Sequence, residues 1–385
     1  MQNPYKNRIL LLTLVVILLL SGCADVRILE ELGFIHSAGY EYAEGKGEND
    51  RNNLLVTFKV LKAEETGGKG NETLTTVANS GKEARTRLDR QTNNQLVSGQ
   101  FRSALFADEY ARKGVWDIVD TLVRDPTIGK RSRIVVIEGS PHEILQAEFS
   151  QHPDVGHYID QMLDKEEKAN KIPNCNLYIF SRDLFDLGID PVVPLLKIGK
   201  KSLIINGIGI FRDDRYVSKI NPIDVPYFYF MKKNFKGGDL NLTIQHDGAE
   251  EQEIILLSNL ISKRKIKVQR GQGDQIKVNI ELNVMGSLLE YIGKLDITVD
   301  GNVHILEEAV AREVEKSAQK VVELLQSNGA DSLGIGMYVR NSMTAKEWKE
   351  LDYKKQYPTI DVSVQAKVVI KNIGISKSGT RVGVQ

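Results

Sequence analysis

The sequence predicts an α+β fold with more than one domain, built from mixed or antiparallel sheets with packed helices. Strands and helices alternate along the chain without a regular run of βα units. Residues 275–293 and 359–376 alternate apolar and polar side chains for long enough to form full sheet strands. Between them, residues 302–326 carry an apolar stripe at helical spacing, which indicates a long amphipathic helix.

The first elements follow from β-branched runs and capping residues. Residues 53–63 have the composition of a strand, and the Gly-rich polar segment 64–76 predicts a loop. Its glycines lack the GxxxxGK[ST] pattern, so phosphate binding is not expected. Ser80 and Glu83 have the spacing of a capping box and predict a helix to about Leu96.

The next elements alternate in the same way. Residues 100–107 predict a strand, and residues 108–124 predict a helix that an Asp-Pro pair ends. Residues 133–140 form a short apolar run typical of a buried strand, followed by a helix from about Pro141. The sequence around Cys175, NCNLYIF, looks like a strand, in which this cysteine would be a buried structural thiol.

Glycine, aspartate and asparagine residues predict turns and helix ends in the middle and the last third of the chain. Gly207 and Gly209 lack the third glycine and the helix of a nucleotide-binding turn, so they predict a strand in close contact with its neighbour. Asp213 and Asp214 predict the turn into the next strand. In the last third, we expect Asn302 to cap the long helix and the Asn-Gly pair at 328 to end it. Residues 344–357 are expected to contain a second helix.

The amino-terminal residues have the layout of a secretory signal peptide. Lys6 and Arg8 precede a run of twelve residues, 9–20, in which every residue except Thr13 is apolar. A spanning helix needs about 20 apolar residues, so a permanent transmembrane anchor is the weaker alternative. Leu-Ser-Gly-Cys, ending at Cys23, resembles the bacterial lipobox. We therefore expect residues 1–22 to be a lipoprotein signal peptide and Cys23 to become an S-diacylglycerol, N-palmitoyl cysteine that anchors the protein.

The composition of the mature chain limits its possible partners and its number of domains. Removing Lys6 and Arg8 with the signal leaves 49 basic against 51 acidic residues, a net charge of about −2. A net charge this small implies no strong field for nucleic acid or for anionic lipid, and no nucleic-acid partner is expected. Cys175 is the only other cysteine, so no intramolecular disulfide is available once Cys23 is acylated. The mature chain is long enough for two or three domains.

Two basic, glycine-containing segments look like domain boundaries. They are the Gly-Lys-Lys triplet at 199 and residues 262–275, which separate apolar runs. They predict an amino-terminal domain at 24–200, a small middle domain at 201–265 and a carboxyl-terminal α+β domain at 266–385.

Candidate catalytic groups are sparse, and none is predicted to carry chemistry. His152 and His157 are five residues apart across a proline, which does not place them on one helix face for a metal. Glutamate pairs at 166–167 and 250–251 lie in charged runs typical of solvated surface. Trp348 fits a core anchor better than a ligand platform. The sequence therefore predicts no catalytic residues, no metal and no cofactor.

Seven segments in order give the chain a family resemblance. They are SGCADVRILEELGFIHSAGYE, SGKEARTRLDRQTNNQL, the stretch from FADEYARKG to SPHEIL, INGIGIFRDDRYV, the stretch from VEKSAQKVV to GIGMYV, KEWKELD, and VSVQAKVVIKNIGI. Together they resemble the Ger(x)C lipoproteins, the C subunits of GerA-type spore germinant receptors. Two positions depart from the family: Ala24 and Tyr353 stand where tryptophans are usual.

The resemblance implies a non-enzymatic, three-domain α/β protein needed for germination in response to nutrients. It would be lipid-anchored to the outer face of the spore inner membrane of a Gram-positive bacterium, with the integral-membrane A and B subunits as partners. The alternative is a solute-binding lipoprotein of a transport system. That class has two lobes of repeated βα units, which the antiparallel patterns of this chain do not favour.

Overall fold

The computed structural model describes residues 29–46, 50, 53–63, 69–149, 152, 154–247, 250–271 and 275–372. The predicted signal peptide and Cys23 lie outside these residues. Among the described residues, no helix is both long and apolar enough to span a membrane.

The first half of the chain is organised around a nine-stranded sheet. Its strands are β1 (Leu32–Tyr42), β2 (Leu54–Ala63), β3 (Lys69–Ala78), β4 (Gln95–Val97), β5 (Ser103–Ala107), β6 (Arg133–Glu138), β7 (Val192–Ile198), β8 (Leu203–Arg212) and β9 (Arg215–Ile220). The order is β3-β2-β1-β5-β6-β7-β8-β9, with β4 beside β1. The central strands β1, β5, β6 and β7 are parallel, and antiparallel strands flank them on both sides.

Helices cover both faces of this sheet. They are α1 (Gly81–Asp89), α2 (Asp108–Ala111), α3 (Trp116–Arg124), α4 (Pro141–Gln146), α5 (Val155–Lys168) and α6 (Leu177–Phe185). Apolar residues of α1, α3 and α6 pack in one core cluster, and those of α4 and α5 pack in a second. Burial on both faces explains why β5 and β6 are continuous apolar runs.

The second half contains a five-stranded sheet covered by one long helix. Its elements are α7 (Val225–Lys232), β10 (Phe235–Lys236), β11 (Leu240–Ile244), β12 (Glu253–Arg270), β13 (Ile276–Ile292), α8 (Asp300–Ser327), α9 (Ile335–Asn341), α10 (Ala345–Glu350), α11 (Tyr353–Gln356) and β14 (Asp361–Ile370). A single core cluster joins α7, α8 and this sheet. The predicted α+β class is confirmed, because mixed sheets carry the helices on their faces.

Both predicted domain boundaries fall inside continuous structure. β7 ends at Ile198 and turns directly into β8, so the first sheet crosses residue 200 and continues to Ile220. The boundary between residues 265 and 266 lies within β12. The Gly-Lys-Lys triplet lies in the turn between β7 and β8, and the second basic segment lies largely in the half-exposed part of β12. The division into three domains stays a prediction.

Four predicted elements are corrected. Residues 69–76, expected in a loop, belong to β3, which pairs with β2 along its whole length. The run after Cys175 is helix α6, whose first turn the Asn176 side chain caps by accepting from the Ile179 N–H. Gly114, at φ +128°, divides the expected helix 108–124 into α2 and α3. Helix α8 begins at Asp300, ahead of the expected cap.

The close contact predicted at Gly207 is confirmed. Its φ is +114°, and a Cβ there would lie 2.0 Å from the carbonyl oxygen of Ile220 on β9. We expect Gly207→Ala to lower the free energy of unfolding by about 3 kcal/mol, because both the backbone and β9 would have to shift. Gly99→Ala is the matched control, since Gly99 has open space around its Cβ position. Urea denaturation of the two variants measures the difference; equal values would contradict the contact.

Candidate functional site: the cleft between the two sheets

A cleft of about 830 Å³ lies where the two halves of the chain meet. One wall comes from α5 and the start of β8, and the other comes from α7, β10 and β11. The apolar side chains that line it include Met162, Leu203, Ile205, Val225, Phe235 and Leu260. A concave apolar surface between two sheets is a common place for a ligand or a partner segment to bind.

The mouth of the cleft exposes large apolar side chains. Ile204 is 42% exposed and Ile223 is 68% exposed, and both line the cleft. Exposed apolar surface beside an apolar cavity is costly to leave in water, so it is typical of an interaction site.

The rim is charged and internally paired. Glu166 lies 2.7 Å from the ammonium of Lys165 and 3.8 Å from that of Lys171. Asp239 adds an acid on the opposite side. An apolar floor with a polar rim is the usual composition of a binding surface.

The two candidate histidines occupy different positions. His152 lines the cleft and stacks on Tyr158, with ring centroids 3.9 Å apart and planes 2° from parallel. His157 is exposed on α5, and its N–H donates to the Asp154 carboxylate that caps the helix. In the part of the chain that the structure describes, no group of three or more His, Cys, Asp or Glu side chains could hold a metal ion.

The remaining candidates have structural partners. Cys175 is buried as predicted, and burial raises the pKa of its thiol well above the ordinary value. Glu167 pairs with Arg133 at 2.6 Å, and Glu251 lies 3.6 Å from Lys294. Trp348 packs against the core of the second half of the chain, and its ring centroid lies 5.2 Å from that of Tyr353.

A buried carboxylate pair, which we call the Asp331 junction, connects the two halves of the chain. It consists of Asp190, which precedes β7, and Asp331, which follows α8. Asp190 accepts the N–H of Asp331 at 2.7 Å and that of Asp213 at 3.0 Å. In return, the Asp190 N–H donates to the carbonyl of Asp331 at 3.0 Å. These hydrogen bonds connect the loops of the first sheet to the second half of the chain.

The Asp331 side chain also organises its own loop. Its oxygens accept the N–H groups of Gly334 and Ile335 at 2.9 Å and that of Gly336 at 2.6 Å. The Tyr353 hydroxyl donates to it at 2.7 Å. Sequence reasoning missed this role, although NGADSLGIG was among the segments of the family resemblance; a carboxylate followed by two glycines was the available signal.

The junction predicts a pH dependence of stability. Burial raises the pKa of Asp331 to about 6 from an ordinary 3.8, against the opposing hydrogen bonds from Gly336 and Tyr353, and nearby Asp190 adds to the rise. Between these two pH values the folded state binds more protons than the unfolded state, so stability falls as pH rises. The two-unit shift corresponds to about 3 kcal/mol.

We therefore expect the part of the Asp331 contribution that depends on its bound proton to be fully present below pH 4 and to be lost by pH 7; the hydrogen bonds that the carboxylate accepts remain. Urea denaturation between pH 4 and 7 should show this slope in the native chain and a flatter one in Asp331→Asn, which does not titrate. Identical slopes in the two proteins would refute the assignment.

Comparison with known families decides what kind of protein this is. The family model described as "Spore germination protein N-terminal domain" matches residues 25–198, and the model described as "Spore germination B3/ GerAC like, C-terminal" matches residues 206–374. The chain belongs to the Ger(x)C family of spore germination proteins. The first match ends with β7, and the second begins within β8, so the second match contains most of β8 and all of β9 from the first sheet as well as the whole second sheet.

Relatives of this Ger(x)C chain match it nearly end to end. "Spore germination protein GerQC" of Bacillus cereus is 24% identical, over 97% of this chain and 100% of the relative. "Putative spore germination protein YfkR" of Bacillus subtilis (strain 168) is 21% identical, over 94% and 96% respectively.

A solved structure supports the fold. The crystal structure of the GerBC protein aligns with a TM-score of 0.53 and 14% identity, covering 90% of this chain and all of that chain.

Proposed function

We propose that this Ger(x)C protein is the lipid-anchored C subunit of a nutrient germinant receptor and acts by binding, without catalysis. The observation that carries the proposal is the pair of family matches, which together run from residue 25 to residue 374. The first match begins two residues after Cys23, as expected if Cys23 is the first residue of the mature chain.

The proposed partners are the integral-membrane A and B subunits. Partner binding is the activity that the cleft supports best, because its floor is apolar and its mouth exposes Ile204 and Ile223. Its polar rim would give such an interface specificity, since the ion pairs around Glu166 fix the positions of the charges.

A charge placed at the mouth tests this use of the cleft. We expect Ile223→Asp to reduce co-isolation of the A and B subunits from solubilised spore membranes at least tenfold, because an unpaired carboxylate would be buried in an apolar interface. Ile254→Asp is the matched control, as Ile254 is 42% exposed and does not line the cleft. Equal recovery from both variants would show that the partners bind elsewhere.

The alternative of a solute-binding lipoprotein is not favoured. Both family matches and the curated relatives point to spore germination. Neighbouring genes distinguish the two classes: genes for a multi-pass permease-like protein accompany a receptor, whereas a gene for an ATPase accompanies an importer.

A further inference from the structure

The chain enters the described fold at one end of the first sheet. Leu29 begins a short 3-10 turn, Leu29–Glu31, directly before β1, and is 54% exposed. At this end Leu32 pairs with Gln95, the first residue of β4. The parallel strands β5 and β6 also begin on this side, so their preceding loops share it.

The length of the connection to Cys23 restricts which surface can lie near the lipid. Leu29 lies six positions after Cys23. An extended chain spans at most about 3.5 Å per position, so this connection reaches ~20 Å at most. β1 contains 11 residues. At about 3.3 Å per residue, its far end lies roughly 35 Å beyond its start. An acylated Cys23 therefore brings the amino end of the sheet close to the headgroups more readily than the opposite end.

The same end of the sheet exposes basic side chains. Arg102 precedes β5, Lys130 and Arg131 precede β6, and Arg90 lies in the loop before β4; all four are exposed. Acids nearby are engaged in the fold. Glu72 pairs with Lys62 at 2.6 Å, Glu167 and Asp164 pair with Arg133, and Asp89 accepts the N–H of Leu96. Asp160 also lies 3.6 Å from Arg133, and the Glu31 and Asp89 side chains are exposed, so this end carries both signs of charge. None of the four exposed cations forms an ion pair with a residue that the structure describes.

An exposed aromatic ring stands beside these cations. The Tyr178 N–H donates to the Lys130 carbonyl at 3.3 Å, which places the start of α6 at this end. The Tyr178 side chain is 62% exposed. Tyrosine combines an apolar ring with a polar hydroxyl, so it is favoured at the level of lipid headgroups.

We infer that this surface, the amino edge formed by Leu29, Arg90, Arg102, Lys130, Arg131 and Tyr178, docks on a membrane with anionic headgroups. The inference rests on the proposed acylation of Cys23. Guanidinium and ammonium groups at the edge bind headgroup phosphates, and Tyr178 lies among the headgroups. The lipid chains then hold the protein at the bilayer, and the amino edge sets its orientation there.

Two labelled positions on either side of β5 test the orientation. Gln100 precedes β5 and Glu109 follows it, and both are exposed. With Cys23 acylated and Cys175 buried, a cysteine introduced by Gln100→Cys or Glu109→Cys is the reactive thiol for a fluorophore. The full-length lipidated protein is reconstituted in phosphatidylglycerol vesicles that contain a lipid with a headgroup nitroxide quencher.

We expect the label at position 100 to be quenched at least threefold more strongly than the label at position 109. Equal quenching, or stronger quenching at 109, would overturn the inference even though the protein floats with the vesicles. A chain that carries no acyl group and does not float would instead contradict the proposed anchor, and this inference with it.

Charge reversal tests what holds the edge at the surface. The test variant combines Arg90→Glu, Arg102→Glu, Lys130→Glu and Arg131→Glu. The matched control reverses four exposed lysines of the second half, Lys263→Glu, Lys265→Glu, Lys346→Glu and Lys349→Glu. We expect the quenching contrast to fall at least by half in the test variant, or when phosphatidylcholine replaces phosphatidylglycerol, and to persist in the control. An unchanged contrast in the test variant would contradict docking through these cations.

Discussion

Replacing Cys23 by alanine is expected to remove the protein from the spore membrane and to slow the nutrient response at least tenfold. Acylation requires the Cys23 thiol, so the variant would carry no lipid or would accumulate as an uncleaved precursor. Burial of acyl chains contributes about 0.8 kcal/mol per CH₂, and stable anchoring needs more than one chain. Without them, binding to membrane partners would depend on the protein interface alone.

The size of this effect follows from effective concentration. A tether converts binding to a membrane partner into a local event and can raise its apparent affinity by about 10²- to 10⁴-fold. Labelling with a fatty-acid analogue and fractionation of spores measure the anchor, and germination after nutrient addition measures the response. Cys175→Ala is the matched control, because Cys175 is the other cysteine of the chain and is buried. Persistent lipid labelling of the Cys23→Ala protein would refute the assignment.

A substitute anchor separates tethering from any other role of the lipid. We expect an unrelated transmembrane helix, placed before Ala24 in the Cys23→Ala protein, to restore much of the response. A helix-anchored protein that reaches normal abundance and binds its partners, yet remains inactive, would show that the acyl chains do more than tether.

The second large effect is expected at the Asp331 junction. Asp331→Ala removes the acceptor of three backbone N–H groups and of the Tyr353 hydroxyl, all in buried surroundings. Each buried donor left unsatisfied costs about 1–3 kcal/mol, and removal of the charged carboxylate recovers part of that loss. We expect the free energy of unfolding to fall by about 4 kcal/mol, a large share of the stability of a typical protein.

Two controls identify the cause. Asp331→Asn keeps one carbonyl oxygen as an acceptor and should lose less than half as much stability. Asp361→Ala removes a carboxylate that is 63% exposed and should change stability little. Urea denaturation at pH 7 compares the three variants. If Asp331→Ala were as stable as Asp361→Ala, the junction would not be what holds the two halves together.

The elements predicted from sequence are those whose signal is local. β13 and α8 carry long uninterrupted periodicities, and their cores match the predicted apolar stripes. β3 was missed because most of KGNETLTTVA is polar and a Gly-Gly pair precedes it. It is a strand because β2 offers ten pairing positions, which is a tertiary effect. Helix α6 was missed because its apolar run is short enough to fit either a strand or a helix.

The candidate functional residues also divide into those with a local sequence signal and those that only the fold brings together. The sequence that ends at Cys23 resembles a lipobox and is contiguous, so it can be recognised without a structure, although it lies outside the described residues. The Asp331 junction joins residues 141 positions apart, and the cleft brings together α5, β8 and β10. Neither follows from local periodicity. The turn between β7 and β8 also shows why composition alone does not locate a sheet, because its Gly-Lys-Lys triplet has the composition of a linker and yet joins two paired strands.

Mass spectrometry of the tagged full-length protein, isolated from solubilised spore membranes, tests the central claim most directly. One sample reports both the amino-terminal residue of the mature chain and the proteins isolated with it. The account predicts a chain that begins at a diacylglycerol-modified, palmitoylated Cys23, accompanied by the A and B subunits of a germinant receptor. An unacylated chain, or an acylated chain isolated with the permease and ATPase of an importer, would contradict it.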